Sequence, residues 1–403
     1  KATPNYLIVP GRSVEMIDIE SGKWNANKFV RGNCAYGIMP ANGLIYVPPH
    51  SCACGANDLL KDGFVALAAQ GKGNTPQPTG DRLLKGPAYT ASPSPSTRDL
   101  RLVTDDSWPT YRGNAARLGN TSAAVPVNLK ETWRTLIGGV LTPPVSAGDI
   151  VLVAAKQRHI VYALDSASGK QLWTFTAGAR IDSPRTIFNS GAVSLCLCGS
   201  RDGYVYCLRL SDGRLAWRFR AAPYDKLISV DGQLESAWPV AGSILVDGGI
   251  AYFVAGRNTH LDGGMVLYKV DAAKGAMIKA EELKDTSLRP DILAADDEWV
   301  FMRGAVFTRD LEWQKRKPVA RLWSSVGFLD HNWWHRTYWL YGGTMSGGFG
   351  GWHRSTQTMP TGRILVTDGS RIYGYGRTNY DSAGGHVGLD GRHAWGPIKS
   401  PFT

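Results

Sequence analysis

A motif repeated in register constrains this chain more than any other feature. Residues 162–173 read YALDSASGKQLW, and residues 206–217 read YCLRLSDGRLAW. The copies stand 44 residues apart, with Gly213 and Trp217 where Gly169 and Trp173 fell. A self-similar period of about 20–50 residues marks units that cannot bury their apolar side chains alone and must stack to do so.

The repeat extends upstream of the motif. Full copies run over 138–176, 178–220 and 235–278, and partial copies over 13–24, 43–69, 291–313 and 362–377. Each consists of short runs rich in Val, Ile, Leu and Tyr, separated by Asp-Gly, Gly-Gly or Ala-Gly. Runs this short, with no 3.6-residue periodicity, predict strands. The 47 Gly and 22 Pro supply the turns such a chain needs. Four strands in about 40–50 residues is the signature of a β-propeller blade, so the expected fold is all-β.

The motif itself has a physical reading. Asp165 ends a strand, and its carboxylate can accept backbone N–H groups in the turn that follows. Gly169 supplies the positive φ that a tight hairpin often needs. Trp173 then lies on the outer strand, where a flat ring can cover the neighbouring unit. Gly213 and Trp217 repeat the device, and Asp18, Gly22 and Trp24, with Asp271 and Gly275, are degenerate copies. These residues are expected to be structural.

Two stretches break the repeat. Residues 71–104 are rich in Pro, Gly and Ser and predict a surface excursion. Residues 314–356 form an aromatic- and Gly-rich insertion that contains DHNWWHRTYW. On a strand, Trp334, Arg336 and Tyr338 share one face, and Trp333, His335 and Trp339 the other. Rings stack on sugar faces and Arg pairs with a uronate carboxylate, which makes Trp334, Arg336 and Tyr338 candidate glycan-binding residues. In a polysaccharide lyase Arg336 would neutralise the uronate, while His335 or Tyr338 acted as base or acid. The bland alternative is that this insertion closes or plugs the fold. His331 and His335, about 13 Å apart on a strand, cannot share a metal ion. RNTHLDGG at 257–264 offers Arg257 and His260 as further ligand-binding candidates at a loop. The glycines of GGTMSGGFGGW (342–352) lack the strand-before, helix-after context of a phosphate cradle.

Six cysteines form two groups without any CxxC, which removes thioredoxin, zinc-ribbon and haem-attachment motifs. Cys196 and Cys198 alternate with leucines and are expected as buried thiols on one strand face. Cys34, Cys52 and Cys54 lie in turn-rich sequence. A disulfide from Cys34 to Cys52 or Cys54 is expected in an oxidising compartment, and zinc held by the three with His50 is the alternative. The net charge of +11 favours an anionic partner or is simply a solvated basic surface, with nothing that specifies a nucleic acid. No apolar run approaches the roughly 20 residues of a membrane helix. The chain begins at Lys1 without a signal pattern, so a processed product or a piece of a larger protein is expected.

ALDSASGKQLW fits the A-x-D-x-x-x-G-K-x-x-W pattern of the tryptophan-docking motif in quinoprotein dehydrogenase-like propellers. SWPTYRGNAARLGNT (107–121), RGNCAYGIMPANGLIYVPPHSCACG (31–55), ESAWPVAGSILVDGGIAYFVAGR (235–257) and GFLDHNWWHRTYW (327–339) extend the likeness. Over nearly its whole length the chain resembles the PQQ-like β-propeller proteins common in planctomycetes and related bacteria. The resemblance implies one propeller over 1–403 with seven or eight four-stranded blades, and a periplasmic or secreted location. Quinoprotein alcohol dehydrogenases of this superfamily hold the quinone against two adjacent cysteines, with Ca²⁺ alongside. This chain has no Cys-Cys pair, its nearest approach being Cys52-Ala53-Cys54, so neither PQQ nor Ca²⁺ is expected.

The leading expectation is a non-catalytic binding or scaffolding propeller that engages an anionic polysaccharide or a protein partner. A carbohydrate-active enzyme such as a polysaccharide lyase is the first alternative, and a PQQ-dependent oxidoreductase the second.

Overall fold

A computed structural model describes residues 1–10, 13–27, 30, 32, 37–48, 65–68, 81–89, 103–284, 288, 290–302 and 305–314. It also gives the strand backbones at 322–324, 339–341, 364–367, 372–375, 380–381 and 397–398. The described chain is all-β, built of antiparallel sheets, and its one helical element among these residues is the 3₁₀ turn Lys156–Arg158.

Two three-stranded sheets come first. One joins β1 (Tyr6–Pro10), β2 (Val14–Asp18) and β3 (Trp24–Asn27), the other β4 (Met39–Ala41), β5 (Leu44–Val47) and β6 (Val65–Ala68). They pack on each other through Ile8, Val14, Ile38 and Val47. Within the stretch read as an excursion, Leu83–Lys85 forms a strand, β7.

The full repeats fold as meanders. β8 (Val145–Ala147), β9 (Ile150–Ala155), β10 (Ile160–Asp165) and β11 (Gln171–Thr176) make a four-stranded sheet. β12 (Thr186–Ser190), β13 (Val193–Gly199), β14 (Tyr204–Arg209) and β15 (Leu215–Arg220) make the next, and β7 adds a fifth strand outside β15. A separate hairpin, β16 (Leu227–Val230) and β17 (Gln233–Ser236), precedes the sheet of β18 (Leu245–Asp247), β19 (Ile250–Ala255), β20 (Met265–Asp271) and β21 (Met277–Leu283). β22 (Leu293–Ala295), β23 (Trp299–Met302) and β24 (Ala305–Thr308) follow. The first strands are neighbours in chain order: β12 lies beside β8 and β18, and β18 beside β22.

Each central strand is buried on both faces, and the two-residue period divides its side chains between two cores. Cys196, Cys198, Tyr206 and Leu208 face the preceding sheet, among Val145, Leu152, Ala163 and Trp173. Leu197, Val205, Cys207 and Trp217 face the following sheet, among Phe253, Tyr268 and Val270. Cys196, Cys198 and Cys207 are buried free thiols. Burial raises all three pKa values, that of Cys198 to about 11.

Three tryptophans join successive sheets in one geometry. The Trp133 indole N–H donates to Ser166 O at 2.8 Å, Trp173 to Leu210 O at 2.9 Å, and Trp217 to Ala273 O at 2.9 Å. Each ring lies against the turn glycine of the next motif. A Cβ placed on Gly169 would sit 2.4 Å from the Trp133 ring, on Gly213 2.5 Å from Trp173, and on Gly275 2.7 Å from Trp217. All three glycines have φ near +70°, where an L side chain is strained in any case. Trp24, by contrast, is 56% exposed.

The turns use one link with two chemistries. Asp165 accepts from the Ser168 N–H at 2.8 Å and the Ser168 hydroxyl at 2.6 Å, and Asp18 repeats this with Ser21. In the second motif the roles are exchanged: Arg209 stands at the first position and donates to Asp212 at the fourth.

Candidate functional site

Several charged side chains of the described residues meet in one cluster of loops. The loop 177–185, the turn 200–203, the hairpin β16–β17 and the β19–β20 loop meet there. Arg180 Nη1 contacts Asp231 at 2.8 Å, and its Nε pairs with Glu235, a carboxylate only 1% exposed. Arg201 reaches Asp182 at 2.8 Å and the other oxygen of Glu235 at 3.4 Å. Asp182 also accepts the Gly242 N–H at 3.4 Å. Farther along, His159 and Gln157 in the β9–β10 turn bond to Gln233 at 2.9 and 3.3 Å. The hairpin β16–β17 is therefore clamped back onto two earlier sheets. The alternating charges hold these loops together, because a buried ion can stay buried only when paired.

Arg257 and His260 both lie in the β19–β20 loop. Arg257 donates to Asp262 at 2.5 Å, and Lys226 meets the same carboxylate at 2.7 Å. Burial raises the Asp262 pKa, but Lys226 and Arg257 outweigh it and hold the group below its ordinary value. The His260 N–H donates to Asn258 Oδ1 at 2.8 Å. Asp202 shows the opposite balance: burial raises its pKa despite bonds from Tyr206, Tyr204, Ser200 and Gly178. Its oxygens accept the Tyr206 hydroxyl at 2.5 Å and the Tyr204 N–H at 2.9 Å.

Sequence reasoning missed the role of 107–118. This segment bonds to the first strands of three sheets, β8, β12 and β22. Trp108 exchanges backbone bonds with Ser146 at 3.0 and 2.9 Å, and Pro109 O accepts from Ile187 at 2.8 Å. Ala115 O accepts from Ala295 at 2.9 Å. Arg117 is fully buried and donates to Leu293 O at 3.0 Å, Thr110 Oγ1 at 2.6 Å and Tyr111 O at 3.1 Å. A hydroxyl has one proton, so the order of this chain is fixed. Thr186 donates to Ile244 O at 2.5 Å, and Thr110, which accepts from Arg117, must donate to Thr186 at 2.8 Å. The signal was present in YRGNAARLGN, whose Arg112, Gly113, Arg117 and Gly119 all adopt positive φ, but no periodicity announces it.

Trp334, His335, Arg336 and Tyr338 lie outside the described residues, as do Cys34, Cys52 and Cys54. Among the described residues no group of three His, Cys, Asp or Glu could hold a metal ion. Cys196 and Cys198 alternate inside a sheet core, the carboxylates of Asp182, Glu235 and Asp262 are paired with Arg or Lys, and the chain's own segment 107–118 lies along the first strands. No helix is long and apolar enough to cross a membrane among the described residues.

Comparison with known proteins agrees with the repeat architecture. The family described as "Outer membrane protein assembly factor BamB" matches residues 157–305. No curated protein sequence matches the chain. BamB from Moraxella catarrhalis is similar at 16% identity with a TM-score of 0.31, over 45% of this chain and 49% of that one. A quinohemoprotein alcohol dehydrogenase from Comamonas testosteroni is similar at 15% identity and a TM-score of 0.35, over 45% and 28% of the two chains. The match thus spans about half or less of either relative. Over residues 157–305 the chain is similar to the PQQ-like repeat proteins of the BamB type.

Proposed function

We propose that this chain is a non-catalytic, extracytoplasmic binding or scaffolding module of the PQQ-like β-propeller type, and that its partner is a protein. One observation carries the reading: the first strands, where a ring of such sheets would offer a cofactor or substrate its place, are lined by the chain's own residues 107–118. Pulling that segment off the first strands would separate the buried Arg117 from its acceptor Leu293 O, at a cost of several kcal/mol. The charged side chains of the loop face are likewise spent on one another, which suits a rigid surface better than a reacting one. The BamB family match supports a role in assembly with other proteins. Seven or eight blades, the planctomycete-type kinship and a periplasmic or secreted location belong to the same proposal.

The test has two arms. Purified protein is assayed for alcohol oxidation with added PQQ and Ca²⁺, and for release of unsaturated uronates from alginate and pectate. Turnover in either assay, abolished by a point substitution in this chain, would overturn the proposal. Cross-linking mass spectrometry in the native extract should join one recurring partner protein to Lys226 or Lys156, on or beside the loop face, and a charge reversal at Arg257 should weaken that link.

A further inference from the structure

The junction between the first two sheets carries an amide where two later junctions carry a ring. Trp173 pairs with Ala163, two residues before Asp165, and Trp217 pairs with Cys207, two residues before Arg209. In the first motif the residue two before Asp18 is Met16, and its partner on β3 is Asn25. The β10–β11 and β14–β15 pairs each shift register beside the tryptophan, and β2–β3 does not, so Trp24 falls opposite Ile17. Successive side chains on a strand point to opposite faces, which carries the Trp24 ring away from Asn25 and Met16.

A cavity of about 710 Å³ lies at this junction, between the sheet of β1–β3 and the β4–β5 hairpin. Protein interiors leave few voids larger than a water molecule, whereas ligand pockets run from about 300 to 1,000 Å³. The floor is apolar: half-buried Met16, Ile45 and Leu67 lie on the core of Ile8 and Val14. The mouth is polar, with Tyr6, Asn25 and Asn42 exposed. Among the described residues of the lining the charged ones are Asp18 and Lys23, of opposite sign. The Asp18 carboxylate already accepts the Ser21 N–H and hydroxyl at 2.7 Å each. An ion therefore meets no excess of countercharge, whereas a flat apolar body fits the floor and a neutral polar group fits the mouth. We propose that this cavity binds a neutral small molecule built on an aromatic ring. The ring lodges between the two sheets, as the rings of Trp173 and Trp217 do between later ones, and a hydrogen-bonding substituent points toward Asn25.

Titration of the intact chain with N-phenyl-1-naphthylamine, a neutral fluorescent arylamine, tests the site. Saturable binding of one probe molecule per chain is the expected result, and fluorescence that rises without saturation would overturn the proposal. Saturating probe should slow peroxide oxidation of Met16 at least about fivefold, because oxidation follows exposure. Met39, exposed and outside the lining, should oxidise at an unchanged rate. Equal protection of both methionines, or of neither, would put the probe elsewhere and overturn the assignment. In Asn25→Trp the chain supplies its own ring, so probe affinity should fall at least about tenfold while the melting temperature holds or rises. Trp24→Ala, on the opposite face, should keep the affinity within about twofold. Undiminished binding by a folded Asn25→Trp variant would overturn the assignment, and if that variant does not fold, the Met16 readout on the unaltered chain decides.

Discussion

The Trp173 ring lies flat on Gly213 of the following sheet, so close that a single added methyl group would sit 2.5 Å from the ring. Two penalties therefore coincide at Gly213: a side chain at φ +71° and a clash with a buried ring. Gly213→Ala should destabilise by about 2–5 kcal/mol. Gly22 has φ +66° but nothing within 4 Å, so Gly22→Ala should cost only about 1 kcal/mol. Chemical denaturation of the two variants checks the difference, and equal costs would show that the ring contact contributes nothing.

Glu235 is the shared acceptor of Arg180 and Arg201 and is buried to 1% exposure. Replacing it by Ala leaves two cations facing a cavity, so a loss of about 3–5 kcal/mol is expected. The hairpin β16–β17 should become the first site of limited proteolysis in this variant. If cleavage instead begins elsewhere, the clamp is not what holds the hairpin.

Asp262 and Asp202 should give the pH dependence opposite signs. Asp262 has a folded pKa below its unfolded value, so its contribution is present above the ordinary carboxylate range and lost as pH falls through the folded value. Asp202 has a folded pKa above its unfolded value, so its carboxyl favours folding at acid pH, and that advantage fades as pH rises through the folded value. Asp262→Asn should flatten the acid limb of a stability–pH profile, and Asp202→Asn should steepen it. Denaturant midpoints measured at several pH values below neutrality decide the matter.

The thiols of Cys196, Cys198 and Cys207 should resist alkylation in the folded protein and react on unfolding. Burial keeps them protonated, and the thiolate is the reactive form. Peptide mapping after iodoacetamide treatment, with and without denaturant, reads this directly. Labelling of Cys198 in the native state would mean that the sheet opens there.

Arg117→Met should release residues 107–118 from the first strands. The substitution retains the stem but leaves Thr110, Leu293 O and Tyr111 O without their donor, so a loss of about 3–5 kcal/mol is expected. Faster hydrogen exchange at Ile187 and Ala295, whose N–H groups bond to this segment, would confirm the pinning.

Local chemistry was legible without any structure. Short apolar runs and Asp/Gly turns specify strands because side-chain alternation and positive φ act within a few residues, and the described chain is all-β. The strand face shared by Cys196 and Cys198 follows from the same two-residue period. What the sequence could not determine is which distant groups meet. YRGNAARLGN reads as a loop, and only packing brings Arg117 to Leu293, far away in the chain. Likewise Arg257 reads as a free ligand-binding side chain, until folding sets Asp262 and Lys226 beside it and gives the charge a partner. Turns and strands are decided by neighbours in sequence, whereas a buried charge finds its partners only when the sheets assemble.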